Sequence, residues 1–332
     1  MHIAVDAMGG DFAPREIVRG AVEAAKSLPG LDKITLVGDE AAIHREYAAC
    51  GTIPGIMDIL HATEVVGMEE SPVNAIRRKK DSSISRAVDL VKKGDANAMI
   101  SAGNTGAVVV AATLKLRTLP GIDRPAIATV MPTPEKPFVL IDAGANTDCS
   151  ARLMLQFAVM GHIYAQKILG CPNPRVGLMS VGTEASKGNE ITKEAFRLIS
   201  ESKLNFYGNI EGHDLYKGHV DVAVCDGFVG NVILKTSESV AHAMGHWIRQ
   251  EFSRSPVRVL GALLLTRALK DMKKRIDPDL SGGAPLLGVN GVFIISHGAS
   301  SMRAIYHAIR VARDSVNYRI NELITQTISG TL

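Results

Sequence analysis

The chain has 332 residues, of which 46% are hydrophobic and 21% charged, so it can bury a core and differs from disordered chains. Its formal net charge is only +3, with 37 basic and 34 acidic residues, which argues against a general nucleic-acid coat. The longest unbroken apolar run covers about seven residues (259–265), whereas a membrane-spanning helix needs about 20.

The first residues contain no basic segment followed by an apolar one, so no signal peptide is expected. The four cysteines form no CxxC pair, which disfavours a zinc knuckle or a redox pair. Free thiols are typical of a reduced protein, so a cytoplasmic location is expected.

Short apolar runs alternate with helical patterns along the chain. Strands are predicted at residues 3–6, 34–37, 98–101, 126–130, 138–142, 176–181, 220–225 and 292–296. Several of these are apolar throughout, as expected for strands covered on both faces. Ser83–Lys93 is an example of a predicted helix, with serines at its start and a glycine after its end. The alternation predicts an α/β fold with a parallel sheet.

Two segments rich in Pro or Gly, 118–125 and 131–137, are candidate linkers, and 277–288 is a further irregular stretch. The predicted strand at 292–296 could return to the first part of the chain. We therefore predict one α/β domain from residues 1–125 and about 289–332, and a second α/β portion at 126–288.

Six predicted strands end in loops that combine glycine with polar side chains. These loops are DAMGGD (6–11), SAGNTG (101–106), DAGAN (142–146), VGTEASKGN (181–189), CDGFVGN (225–231) and SHG (296–298). Ligands of open parallel sheets bind at the carboxyl ends of strands, where glycines let backbone N–H groups approach an anion. One such loop can be an ordinary turn, but six together predict an anion site at one shared rim.

The motifs of the common anion-binding and hydrolytic sites are missing. The first strand is not followed by GxGxxG, and the chain contains no P-loop, GxSxG elbow or HExxH. Orthophosphate or a phosphorylated carrier arm remains as the ligand.

The motifs IAVDAMGGD (3–11), SAGNTGA (101–107), DAGAN (142–146), VGTEASKGNE (181–190), CDGFVGNVILK (225–235) and LLGVNG…HG (286–298) occur in order, nearly end to end. In them the chain resembles the phosphate acyltransferase family PlsX (acyl-ACP:phosphate acyltransferases). The resemblance implies transfer of a long-chain fatty acyl group from acyl carrier protein to inorganic phosphate, giving acyl phosphate for bacterial phospholipid synthesis. It also implies a homodimer and a three-layer, Rossmann-like sandwich similar to phosphotransacetylase and isocitrate-dehydrogenase-like proteins.

Direct attack of phosphate on a thioester suits these residues, since a thiolate of pKa about 8.5 leaves with little acid help. The reaction needs a cation for phosphate and donors for the oxyanion. We predict that Lys187 holds phosphate and that the Asn231 amide stabilises the oxyanion. A solvated surface lysine and an N-cap asparagine are the respective alternatives.

The other predicted site residues also follow strand ends. The predicted substrate-binding residues are Gly9, Gly10, Asn104, Thr105, Gly106, Asn146, Thr183, Gly188, Gly230 and His297. Asp6, Asp142 and Asp226 would repel phosphate, so we predict that they orient lysines or amides. A structural role is the alternative for His297.

A cysteinyl acyl-enzyme at Cys149 or Cys225 is a further alternative, although phosphate needs no such intermediate. His242 and His246 have i, i+4 spacing but no identifiable third ligand, so a metal site is not predicted. No cofactor is predicted.

Residues 253–276 hold seven basic residues and one acidic residue. Their apolar residues fall on one helical face: Val257, Leu260, Gly261, Leu264, Leu265, Ala268 and Met272. We predict reversible binding to anionic lipid at the inner face of the cell membrane through Leu260, Leu263, Leu264 and Leu265. A core-facing or dimer-facing helix is the alternative.

A second basic cluster, formed by Arg77, Arg78, Lys79 and Lys80, is predicted to dock the acidic acyl carrier protein. A solvated loop is the alternative. Three other functions remain open: a phosphotransacetylase-like enzyme that uses acyl-CoA, a non-catalytic membrane-associated scaffold for carrier protein, and a nicotinamide-dependent dehydrogenase.

Overall fold

The computed structural model describes residues 1–275, Asp279 and residues 282–330. The strands are β1 (His2–Asp6), β2 (Lys33–Gly38), β3 (Met57–His61), β4 (Ala98–Ser101), β5 (Ala126–Met131), β6 (Phe138–Ile141), β7 (Val176–Met179), β8 (Phe206–Ile210), β9 (Val222–Val224), β10 (Ala284–Leu287) and β11 (Val292–Ile295). The helices are α1 (Arg15–Ser27), α2 (Glu40–Cys50), α3 (Pro72–Arg78), α4 (Ser83–Lys93), α5 (Thr105–Leu116), α6 (Ala151–Ile168), α7 (Glu190–Glu201), α8 (Gly227–Phe252), α9 (Pro256–Leu264), α10 (Thr266–Arg275), α11 (Met302–Asn317) and α12 (Ile320–Ser329).

The described strands form one sheet in the order β3-β2-β1-β4-β11-β10-β5-β6-β9-β7-β8. Alternate residues of β1 enter different apolar clusters: Ile3 and Val5 pack with α1 and α11, whereas Ala4 packs with α4 and α5. In the other half, Val139 of β6 packs with α6, and Leu140 packs with the start of α8. Helices thus cover both faces of the sheet, which confirms the three-layer α/β sandwich.

All eight predicted strands are present, each within a few residues of its predicted bounds. Helix α4 has the predicted bounds because Ser82 Oγ accepts a hydrogen bond from the Ser85 N–H at one end and Gly94 adopts a left-handed conformation at the other. Strands β3, β8 and β10 were not predicted. Strand β10 falls in the stretch expected to be irregular, of which residues 277, 278, 280 and 281 lie outside the described residues.

Strand polarity divides the sheet into two halves. β1, β2, β3, β4 and β11 run parallel to one another, as do β6, β7, β8 and β9. Between these halves, β10 is antiparallel to both β11 and β5, and β5 is antiparallel to β6. The two parallel halves therefore point in opposite directions. We call the edge where β1, β4 and β11 end the first edge, and the edge where β6, β7 and β9 end the second edge.

The segment from Asn231 to Met272 is much less buried than the rest of the described chain. From Asn231 to Met272, which we call the helical arm, no residue is buried. Among the described residues, no helix is both long enough and apolar enough to cross a bilayer. The predicted division into two domains stays a prediction.

Candidate functional site

The second edge is built around the loop that follows β6. One carboxylate oxygen of Asp142 accepts hydrogen bonds from the N–H groups of Ile127, Gly144 and Ala145 at 3.0–3.2 Å. The other oxygen accepts from the Asn146 N–H at 2.7 Å and from its side-chain amide at 2.9 Å. Burial raises the pKa of the Asp142 carboxyl, while these five donors favour its ionised form. Asp142 therefore supports the loop rather than facing a ligand.

Helix α8 begins directly against this loop. Its N-cap is Asp226, whose carboxylate accepts a hydrogen bond from the Val229 N–H at 2.8 Å. A Cβ at Gly230 would lie 1.9 Å from the Asp142 carbonyl oxygen, so this contact requires glycine. The close approach sets Asn231 beside Gly144, where a Cβ would lie 3.5 Å from the Asn231 Cβ. Asn231 is exposed, and it is not the N-cap of α8; that alternative is wrong because the helix begins four residues earlier.

Lys187 lies on the loop between β7 and α7. This loop is exposed from Thr183 to Lys187, and Gly188 has a φ of +100°. Strand β9 lies between β6 and β7 in the sheet, so the loops after β6 and β7 begin only about 10 Å apart. At this edge, Thr183 and Lys187 are exposed on the loop after β7, and Asn231 is exposed in the second turn of α8, which follows the neighbouring strand β9.

A shallow cavity of about 550 Å³ begins at Asn231 and continues along α8. Besides Asn231, it is lined by Val232, Lys235, Thr236, Ser239, Val240 and Ala243. The wall of the cavity therefore carries one cation, hydroxyl groups and apolar groups. A ligand that lies in the cavity can reach the Asn231 amide.

The first edge holds a second group of predicted residues. Asp6 is buried and accepts hydrogen bonds from the Ser101 hydroxyl at 2.6 Å and the Met8 N–H at 3.1 Å. Burial raises the pKa of the Asp6 carboxyl. A Cβ at Gly9 would lie 2.4 Å from the Asp6 carboxylate, and one at Gly10 2.9 Å from the Gly298 carbonyl oxygen. These glycines are explained by close packing between the loops.

Asn104 caps α5 by accepting a hydrogen bond from the Ala107 N–H at 3.0 Å. Its amide also donates to the carbonyls of Gly67, Met68 and Glu70 at 2.9–3.1 Å. With 6% of its surface exposed, Asn104 has no side-chain N–H left for a ligand. Thr105 is exposed beside it, and Gly106 packs against Pro72.

His297 also lies on the first edge, at the end of β11. It is exposed, and its Nδ1 accepts a hydrogen bond from the Ala299 N–H at 3.2 Å. β10 and β5 reverse the direction of the sheet, but the register staggers its two halves. Ile295 at the end of β11 pairs with Ala284, and Ile141 at the end of β6 pairs with Ala128, whose neighbour Ile127 pairs with Leu286. Ala143 of the second edge also packs in one apolar cluster with Val108 and Ile295 of the first edge, so the ends of the two halves approach each other, and one shared rim stays a prediction.

The two cysteines near the site are buried beneath the second-edge loops. Burial raises the pKa of Cys149 to about 11, and it raises the pKa of Cys225 well above its ordinary value. Because the thiolate is the nucleophilic form, both positions disfavour a cysteinyl acyl-enzyme.

In the basic cluster, Arg77, Arg78 and Lys80 are exposed, whereas Lys79 donates to Glu70 at 2.5 Å and to the Val65 carbonyl at 2.7 Å. Arg77 and Lys80 border a cavity of about 470 Å³. Its other lining residues are Ile76, Asp89, Leu114 and Lys115.

The segment expected to form one amphipathic helix is broken at Leu265, between α9 and α10, and Ile276 lies outside the described residues. Leu260, Leu263, Leu264 and Leu265 are all exposed, Leu264 to 81%. Glu251 pairs with both Arg254 and Arg258, at 2.8 Å and 2.7 Å, so these two cations are partly neutralised.

Sequence reasoning missed several polar residues near β8. Asn209 is buried and donates its amide to the Glu184 carbonyl at 2.8 Å. Glu211, His213 and Asp214 bring possible metal-ligand atoms within 4.8 Å of one another. Lys217 already pairs with Asp214 at 3.2 Å, and Asp214 also accepts from the Glu211 N–H at 3.0 Å, so the group is explained as the end of a turn.

The sequence profile of a family described as "Fatty acid synthesis protein" matches residues 1–323. A phosphate acyltransferase from Pelotomaculum thermopropionicum is 52% identical over 330 residues, covering 99% of this chain and 96% of its own. A phosphate acyltransferase from Geobacter sulfurreducens is 46% identical over 326 residues, covering 98% of this chain and 94% of its own.

Among solved structures, a phosphotransacetylase from Streptococcus pyogenes has a TM-score of 0.66 at 18% identity, covering 96% of this chain and 94% of its own. This likeness confirms the predicted phosphotransacetylase-like fold. Profile and relatives together extend over nearly the whole chain, and the chain belongs to this family of fatty acid synthesis proteins.

Proposed function

We propose that this protein is a phosphate acyltransferase that moves a long-chain fatty acyl group from acyl carrier protein to inorganic phosphate. The names of its relatives support the phosphate acyltransferase reaction. The observation that carries the proposal is the exposure of Lys187 on the loop after β7 and of Asn231 near the start of α8, beside the loop of the fully hydrogen-bonded Asp142.

In this proposal the Lys187 ammonium binds phosphate, and one phosphate oxygen attacks the thioester carbonyl. The Asn231 amide donates to the oxyanion of the tetrahedral intermediate. The C–S bond then breaks, the thiolate leaves, and acyl phosphate is released. Four further residues complete or support this site: Thr183, Gly188, Gly230 and Asn146. Asp142 and Asp226 hold its loops. The predicted substrate-binding role stays a prediction for these first-edge residues: Gly9, Gly10, Thr105, Gly106 and His297.

The test is an assay of acyl phosphate formation from phosphate with either acyl-ACP or acyl-CoA. Acyl-ACP should give the higher kcat/KM. A preference for acyl-CoA would favour the phosphotransacetylase-like alternative, and no acyl phosphate from either donor would favour the carrier-protein scaffold.

We place the docking of acyl carrier protein at Arg77, Arg78 and Lys80, because these cations are exposed and the partner is acidic. Lys79 is excluded from direct docking by its bonds to Glu70 and Val65. Arg77→Glu with Lys80→Glu should raise KM for acyl-ACP and leave kcat nearly unchanged. A fall in kcat at unchanged KM would contradict the docking role.

We place membrane association at α9. Leu260, Leu263 and Leu264 are exposed together on this helix, which is flanked by basic residues. Leu263→Glu or Leu264→Glu should reduce flotation with anionic liposomes. Unchanged flotation would contradict the membrane-binding role of α9.

The helical arm supports a homodimer. Val232, Val240, Met244 and Trp247 are 48–61% exposed along α8, although an isolated apolar helix face is costly in water. We place a second copy of the chain against this face. Val240→Glu should shift the sedimentation coefficient towards that of a monomer, and an unchanged value would contradict this assignment.

A further inference from the structure

We propose that Asn209 is a positioning residue that holds the Lys187 loop in its phosphate-binding conformation. The inference rests on the proposed role of Lys187, and it concerns a residue on β8 that none of the sequence motifs contains.

The Glu184 carbonyl oxygen is the point where the loop is held. It accepts one hydrogen bond from the Lys187 N–H at 3.0 Å and a second from the Asn209 side-chain amide at 2.8 Å. The first bond closes the turn that carries Lys187, and the second ties this turn to the sheet. Asn209 therefore acts on the residue that sets the direction of the Lys187 side chain.

The rest of the loop is weakly held. Val181 is 79% exposed, and the residues from Thr183 to Lys187 are all exposed. By contrast, Asn209 is only 3% exposed and lies on β8, paired with Leu178 of β7. A buried amide donor on a strand is a rigid anchor for an exposed loop, because its side chain cannot follow the loop into solvent.

The orientation of the Asn209 amide is set by its partner, since only the NH₂ group can donate to a carbonyl. This leaves Asn209 Oδ1 buried without a hydrogen-bond partner, and the neighbouring Ser180 Oγ is in the same state. A Cβ at Gly188 would lie 3.1 Å from Ser180 Oγ, so the end of the loop rests directly on this buried hydroxyl. Asn209 thus uses its donor on the Glu184 carbonyl while its own oxygen stays without a partner.

The test compares steady-state kinetics of four variants: Asn209→Ala, Asn209→Asp, Lys187→Ala and the double variant. Asn209→Asp keeps the shape of the side chain and replaces the donor with an acceptor. Both Asn209 variants should raise KM for phosphate about 10-fold, the effect of losing one hydrogen bond made by a buried donor, with KM for acyl-ACP unchanged. Combined with Lys187→Ala, the Asn209 change should have no further effect, because it acts through Lys187.

Asn205→Ala is the matched control. Asn205 precedes β8 at its other end, and its amide also donates to a backbone carbonyl, that of Asn173 at 3.1 Å. This variant should leave KM for phosphate unchanged. Hydrogen exchange at the Lys187 N–H should accelerate in Asn209→Ala and not in Asn205→Ala, while the two melting temperatures indicate whether both variants fold.

The outcomes separate this inference from the proposed function. If Lys187→Ala leaves KM for phosphate unchanged, the assignment of Lys187 is wrong. If Lys187→Ala raises that KM and folded Asn209 variants do not, Asn209 is not a positioning residue. Additive effects in the double variant would likewise overturn the inference, since they would show that Asn209 acts independently of Lys187.

Discussion

The two edges of the sheet carry similar glycine loops, but one asparagine from each edge, Asn104 and Asn231, is in the opposite state. On the first edge, Asn104 uses both ends of its amide within the protein, and Asp6 is fully buried. On the second edge, a buried Asp142 satisfies its own loop and leaves Lys187 and Asn231 exposed. Polar residues in a glycine loop therefore indicate a ligand site only if they remain available after the backbone of the loop is satisfied.

The largest expected effect comes from removing the exposed cation of the second edge. Lys187→Ala should lower kcat/KM for phosphate by about 10³-fold, because the nucleophile loses its counter-charge in a site built for anions. Lys193→Ala is the control, since Lys193 is a nearby helix lysine paired with Glu190 at 3.1 Å. Equal effects of the two substitutions would remove the distinction between the edges.

Asn231→Ala should have the next largest effect, lowering kcat by about 10²-fold through loss of one oxyanion donor. Ser239→Ala, which changes another residue of the same cavity along α8, should change kcat little. A rise in KM at unchanged kcat would instead indicate that Asn231 binds the ground state.

Asn104→Ala sharpens the comparison from the first edge. It should reduce the free energy of unfolding by about 2 kcal/mol, because a helix cap and amide bonds to three carbonyls are lost. Urea denaturation measures this loss, and kcat per folded molecule should be nearly unchanged. Unaltered stability with a raised KM for phosphate would assign ligand binding to the first edge.

The smallest effect is expected at the buried thiols. Cys149→Ala and Cys225→Ala should each keep kcat within about two-fold, since burial keeps both thiols protonated. Loss of turnover in a variant with a native circular dichroism spectrum would revive a cysteinyl intermediate.

The α/β class, the eight predicted strands and helix α4 could be predicted because they depend on local apolar runs and end signals. Strand β10 could not, because Ala284–Leu287 is short, contains a proline and follows two glycines. Since β10 helps to reverse the polarity of the sheet, missing it also hid the opposite directions of the two parallel halves.

The site was predictable to the extent that its residues stand beside glycines at strand ends, as Lys187 and Asn231 do. Whether each side chain is engaged within the protein or exposed to a ligand could not be predicted. Asn104 is held by Glu70, 34 residues away, and Asn209 holds Glu184, 25 residues away. Such contacts depend on tertiary packing, so no local pattern distinguishes the engaged Asn104 from the exposed Asn231.

A crystal of the full chain soaked in phosphate tests the central claim most directly. Phosphate is expected on the second edge, within hydrogen-bond distance of the Lys187 ammonium and beside the Asn231 amide. Phosphate held by Gly9, Gly10 and His297 on the first edge, with none beside Lys187, would contradict it.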